Sequence, residues 1–148
     1  MKTLLFLLFS LLTNSIYGQL KFPVAYKDCI KEEYIFEEEK QLVFIEDSNF
    51  IKSLRYNFLK ELNAEGLLVL VIGVNTEGRS CLFSADNNTN ISNEDFNLKD
   101  NIDRYLVWEK PINKTIAIIV LAFKENKVFI KRFGKNKAIF YESEYKLE

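Results

Sequence analysis

Apolar and polar positions along this chain alternate between two rhythms. Residues 67–74, LLVLVIGV, are apolar at successive positions. That predicts a strand central in a sheet or covered on both sides. NTEG follows as a turn, where Gly78 is free to take a positive φ. Residues 79–85 run back as a second strand. Upstream, Phe50, Ile51, Leu54, Phe58, Leu59 and Leu62 recur at helical spacing. A helix is therefore expected after Asp47 and Ser48, which suit its cap, and residues 63–66 end it. Before it, residues 41–46 read as a short strand. The polar stretch DNNTNISNEDF, residues 86–96, reads as a loop that delivers a second helix. Ser92 and Asp95 form a capping-box-like pair there. Phe96, Ile102, Leu106 and the ring of Tyr105 supply the buried stripe. Lys110 followed by Pro111 breaks the chain after Trp108. Residues 115–123, TIAIIVLAF, form a third strand, and KENK turns it. Residues 127–133 return with alternation, and 138–141 add a last short strand. The order helix, strand, strand, helix, strand, strand predicts an α+β two-layer sandwich: a mainly antiparallel sheet of about four strands with two helices on one face.

The N-terminus changes the picture of where this domain works. Lys2 precedes ten mostly apolar residues, and Ile16, Tyr17 and Gly18 then lead into Gln19. This is the layout of a signal peptide over residues 1–18, cleaved near Gly18. Its apolar core is half of the roughly 20 residues a membrane span needs. No stable transmembrane span is expected, and the protein is read as exported, periplasmic or secreted. Residues 19–148 then form a single domain. Residues 1–18 hold one lysine and no acid, so the rest carries 19 basic and 21 acidic residues. A net charge of −2 gives no pull toward nucleic acid. Cys29 and Cys81 are the only cysteines. Export permits a disulfide between them; two buried free thiols remain the alternative.

The residues also carry a resemblance. GLLVLVIGVNTEGRSC, a polar loop, a helix ending in WEKP and an apolar strand ending at Phe123 are similar to the C-terminal domain of TonB-type energy transducers. Gly66, Gly78, Trp108 and Pro111 occupy the family's glycine, glycine and tryptophan–proline places, and FPVAYKDC resembles the start of secreted Bacteroidetes-type relatives. The likeness spans residues 22–123. The chain departs from the family in lacking the tyrosine–proline before the first strand and the proline-rich spacer. The resemblance implies fold more than energy transduction. In that family a partner peptide adds to the edge of the third strand. Here residues 127–133 are expected to fill that edge and become the outer strand, whose Lys127, Lys131 and Arg132 blunt further pairing.

Candidate chemistry is sparse. The chain has no histidine, which excludes Ser-His-Asp and Cys-His nucleophile sites and histidine-ligated zinc. No metal, cofactor or catalytic residue is expected. Glu94 with Asp95, and Glu77 beside Arg79, are the carboxylates closest to an acid/base arrangement. They fit a helix start and a turn better. Asn87, Asn90 and Asn113 stand in glycosylation-type sequons and mark exposed loops. The expected function is an exported, non-enzymatic binding module that engages a protein partner in the envelope or outside the cell. Lys127, Phe129, Lys131, Phe133 and Trp108 are the candidate contact residues. A secreted inhibitor acting through a surface loop, and a small carboxylate-dependent hydrolase, are the alternatives.

Overall fold

Gly66–Val74 (β3) is the strand around which everything else is arranged. In the computed structural model, which describes residues 24–26, 29, 34–37, 43–54, 56–134 and 139–147, β3 pairs antiparallel with two neighbours along its whole length. These are Ser80–Thr89 (β4) on one side and Thr115–Lys124 (β5) on the other. The doubly apolar run is therefore central, as its composition requires. Lys127–Phe133 (β6) pairs with β5, and Ile139–Lys146 (β7) pairs with β6. Val24–Ala25 (β1) pairs with the far side of β4. The path β1-β4-β3-β5-β6-β7 is antiparallel throughout. Ile35–Phe36 (β2) lies off it, parallel to the start of β5.

Alternation divides the sheet into two faces. On the first, Leu68, Leu70 and Ile72 of β3 stand opposite Leu121, Ile119 and Ala117 of β5, and Val74, Phe123 and the β6 residues Val128 and Ile130 share their side. Short helices supply the rest of this core. They are Asp47–Ser53 (α1), Tyr56–Glu61 (α2), Asn93–Phe96 (α3) and Leu98–Tyr105 (α4). Phe50, Ile51, Leu59, Phe96, Leu98 and Ile102 all join the same buried cluster. Burial of this kind contributes roughly 1.5–3 kcal/mol per large apolar side chain.

The α+β reading holds, with more strands than four. The expected leader and parts of the 41–46 strand fall outside the described residues. The described part of that segment, 43–46, is not a strand. Its backbone partners lie elsewhere: the Val43 amide donates to Glu37 Oε1, the Val43 carbonyl accepts from Arg132, and Phe44 O accepts from the Glu109 amide. The single helix expected over 47–62 is two helices. Leu54 N bonds back to Ile51 O, which tightens the last turn of α1. Glu46, not Asp47 or Ser48, takes the N-cap position, without a side-chain cap. Residues 86–89 belong to β4 rather than to a loop, because polar side chains do not prevent backbone pairing with Gly66–Val69. Tyr105 is 66% exposed. Leu106, in the extended C-cap conformation of α4, is buried in its stead. The last strand has eight residues rather than four. It follows that β6 is an interior strand and β7 the outer one, which corrects the expected edge.

Candidate functional site: the second face of the sheet

The hairpin turn between β3 and β4 is built by side chain and backbone together. Asn75 Oδ1 accepts from the amides of Glu77 and Arg79, each at 2.9 Å. Gly78 sits at φ +80°, and a Cβ there would overlap the carbonyl oxygen of Trp108. The two residues are tied directly, Trp108 N donating to Gly78 O at 2.9 Å. Trp108 Nε1 donates to Ser80 Oγ, which donates in turn to Leu106 O. Trp108 is 4% exposed, in the first-face core. Of the five residues expected to meet a partner, it alone is sealed from solvent.

The other four share the second face. Lys127, Phe129, Lys131 and Phe133 alternate with the buried Val128, Ile130 and Arg132. Register places Phe129 opposite Ala122, Lys131 opposite Val120 and Phe133 opposite Ile118. The next rank is β3, with Leu67 opposite Ala122 and Val69 opposite Val120. Leu67 is 49% exposed, and Val69, Val120, Ala122, Phe129 and Phe133 are half-buried. None of these belongs to either buried cluster. They form a contiguous apolar surface that no described helix covers. Its rim on β6 and β7 is charged: Lys127 bonds Glu144 at 2.9 Å, Lys131 bonds Glu142 at 3.1 Å, and Lys146 stands opposite Lys127. The Glu144 hydrogen bond and charge hold the Lys127 ammonium pKa above its usual value. Such exposed pairs add little stability, but they remove net charge from the rim.

The opposite end of this face is covered by the N-terminal segment. Val71, Phe83 and Ile116 form a second small buried cluster, against which Cys29, Tyr34, Cys81 and Ile118 pack. The Tyr34 ring stands edge-on to Phe83, centroids 5.1 Å apart, and burial raises the phenol pKa. Phe83 fits because Gly73 lies beneath its ring; a Cβ at Gly73 would strike it. Cys29 and Cys81 stand at disulfide distance, Cα–Cα 6.2 Å, and both are half-buried. The segment then pairs with β5 through β2 and turns to the first face at Glu37.

Glu37 was not among the expected site residues. It is 0% exposed and forms an ion pair with Arg132, itself buried. Arg132 also donates to Val43 O and lies 5.3 Å from the Trp108 ring centroid. Burial outweighs the neighbouring guanidinium and the Val43 amide, so the Glu37 carboxyl pKa is pushed up; burial likewise lowers that of Arg132. Glu37 Oε2 and Arg132 Nε have no hydrogen-bond partner among the described residues. An arginine in an otherwise apolar alternating position of β6 was the available signal. Its partner lay 95 residues away.

The remaining candidate positions are occupied structurally. Ser92 Oγ accepts from Asp95 N and donates to Asp95 Oδ2. Glu77 lies 3.5 Å from Arg79, both exposed. Asn87 and Asn90 use their side-chain amides on Ile91 O and Asn63 O, whereas Asn113 is exposed. A shallow polar cleft of about 320 Å³ opens between α1 and α4, lined by Lys52, Ser53, Asn97, Asp100, Asn101 and Tyr105; Asp100 is engaged by Arg104 at 3.2 Å. Among the described residues no cluster of metal-ligating side chains occurs, and no helix is long and apolar enough to cross a membrane. Comparison with protein-family models, curated proteins and solved structures finds no match to this chain.

Proposed function

We propose that this chain is an exported, non-enzymatic binding module that engages a protein partner through the second face of its sheet. One observation carries the reading. The first face is packed against helices, while Leu67, Val69, Val120, Ala122 and Phe129 lie half-open on the second. An apolar surface of this kind, rimmed by polar groups, marks an interaction site. The rim pairs cancel each other's charge, so the fitting partner presents an apolar ridge with few charges. The bridge-distance cysteines accord with export. The kinship to TonB-type domains implied by Gly66, Gly78, Trp108 and Pro111 belongs to the proposal as well. Contact between Gly78 and Trp108 gives those motif positions a shared structural purpose. Capture by strand addition would use β7 rather than β5, since β6 occupies the β5 edge.

The test uses single substitutions Leu67→Lys and Phe129→Lys in the chain lacking residues 1–18, immobilised against the organism's envelope fraction. A specific protein retained by the wild type should be lost or weakened about tenfold by either change, because central apolar contacts carry most interface energy. Lys60→Ala, on an exposed position of α2, should leave retention unchanged. Equal retention by all variants, with far-UV spectra matching the wild type, would sink the reading.

A further inference from the structure

We propose that the cleft between α1 and α4 binds a free α-amino acid, with Ser53, Asn101 and Asp100 holding its ammonium and Lys52 its carboxylate. The site is separate from the second face, because both helices pack on the first. Two buried residues break the apolar pattern of these helices. Phe50, Ile51 and Ser53 are buried on α1, and Leu98, Asn101 and Ile102 on α4. The two polar exceptions, Ser53 at 8% exposure and Asn101 at 4%, both line this one cleft.

A polar side chain held at a buried position needs hydrogen-bond partners. Each of these two uses a donor on a nearby carbonyl. Ser53 Oγ donates to Phe50 O at 2.6 Å, and Asn101 Nδ2 donates to Phe96 O at 2.7 Å. Their acceptor capacity is left over: no donor among the described residues reaches Ser53 Oγ or Asn101 Oδ1. A ligand seated here therefore has to bring donors.

The charged lining residues define the rest of that ligand. Asp100 stands beside Asn101 on α4. Its Oδ1 is engaged by Arg104 at 3.2 Å, and its Oδ2 has no partner among the described residues. Lys52, on α1, is exposed and forms no ion pair among the described residues. The cleft thus offers three open acceptors and one unpaired cation. An ammonium carries three N–H donors, which matches Ser53 Oγ, Asn101 Oδ1 and Asp100 Oδ2. Lys52, on its flexible four-carbon stem, reaches the carboxylate that an α-amino acid places next to its ammonium. Lys52 and Asp100 sum to zero charge, as a zwitterion requires. A neutral polyol would meet the acceptors but gain nothing from the charge on Lys52. Tyr105 follows Asn101 by one helical turn and is exposed where the sequence predicts a buried ring. Its ring offers the ligand's side chain an apolar surface. The volume, about 320 Å³, is at the low end of small-molecule sites, roughly 300–1,000 Å³.

The experiment titrates the ¹⁵N-labelled protein with L-alanine and follows amide shifts by NMR. The Asn101 side-chain amide and the backbone amides of Lys52 and Asp100 should move with a Kd on the order of 1 mM, while those of Val120 and Ala122 on the second face stay still. N-acetyl-L-alanine, which lacks the ammonium, should move none of them. L-alanine methyl ester keeps the ammonium and loses the carboxylate, so it should bind roughly threefold to fivefold more weakly, the measure of one exposed ion pair. Lys52→Met should weaken L-alanine by the same factor and leave the ester unchanged; Lys52 is exposed, so the packing of α1 is kept. No movement at Asn101 up to about 50 mM L-alanine, far above that Kd, overturns the proposal. Equal shifts with N-acetyl-L-alanine or D-glucose overturn it too, as does an affinity for L-alanine unchanged by Lys52→Met. No protein partner enters these measurements, so their outcome is independent of the second-face reading.

Discussion

At the residue scale, Glu37 and Arg132 show what a single buried pair imposes. The carboxylate reaches across from the N-terminal segment to β6 and bonds the amide of Val43 on the way. Removing one partner strands the other's charge. Arg132→Met should therefore cost about 3–5 kcal/mol of unfolding free energy by urea titration. Joint replacement, Glu37→Leu with Arg132→Met, should recover much of that loss. The raised Glu37 pKa also fixes the sign of a pH effect. The folded state holds this proton more tightly than the unfolded chain, whose glutamates titrate near ~4.3. The associated stability is full below that value and is lost as pH rises through the folded pKa. Compared with Glu37→Gln, the wild type should lose stability over that interval, and matched urea series at successive pH values measure the difference. A constant difference would show that Glu37 titrates alike folded and unfolded.

At the element scale, the β5–β6 connection is a two-residue turn with both central residues left-handed, Glu125 at φ 52° and Asn126 at φ 59°. That geometry matches the twist of the strands it joins and favours Asn-Gly. Replacing Glu125 with Asn and Asn126 with Gly should stabilise the protein by about 0.5–1 kcal/mol, the relief of left-handed strain (~1–2 kcal/mol) less the extra entropy a glycine loses on folding (~0.5–1 kcal/mol), read as a higher urea midpoint at constant slope. Elements with strong local signals were legible in the sequence: the central β3, the hairpins at 75–78 and 124–127, and the Ser92 cap. Elements set by distant partners were not. Residues 43–46 look like a strand, yet their partners are Glu37, Arg132 and Glu109. Residues 86–89 look like a loop, yet a ladder partner in β3 extends them. At the site, alternation in 127–133 pointed to the residues that share the second face. It could not reveal that β7 would cover their strand's edge, nor that Leu67, Val69 and Val120 would join them, since those ranks meet only through sheet order.

At the scale of the whole molecule, the two faces have different tasks. The helix-covered face holds nearly all of the large core, and the N-terminal segment spans the other face at one end before returning to the first through Glu37. This division lets the second face change without disturbing the first: on the proposed reading, Leu67→Lys alters docking and leaves the first-face packing intact. It also leaves one residue of slack in the middle of β4. The register shift opposite Val71 and Ile72 means that Phe83 and Ser84 fall on the same side. Deleting Ser84 would close that irregularity: Leu82 and Ala85 would still face the helices, and Phe83 and Asp86 would still face away. Such a chain should yield soluble folded protein, whereas deleting Val120 from the regular β5 would reverse every side chain on one side of the cut and should not. Length variation in this molecule is thus tolerated at the one irregular midpoint of its sheet and forbidden within its regular strands.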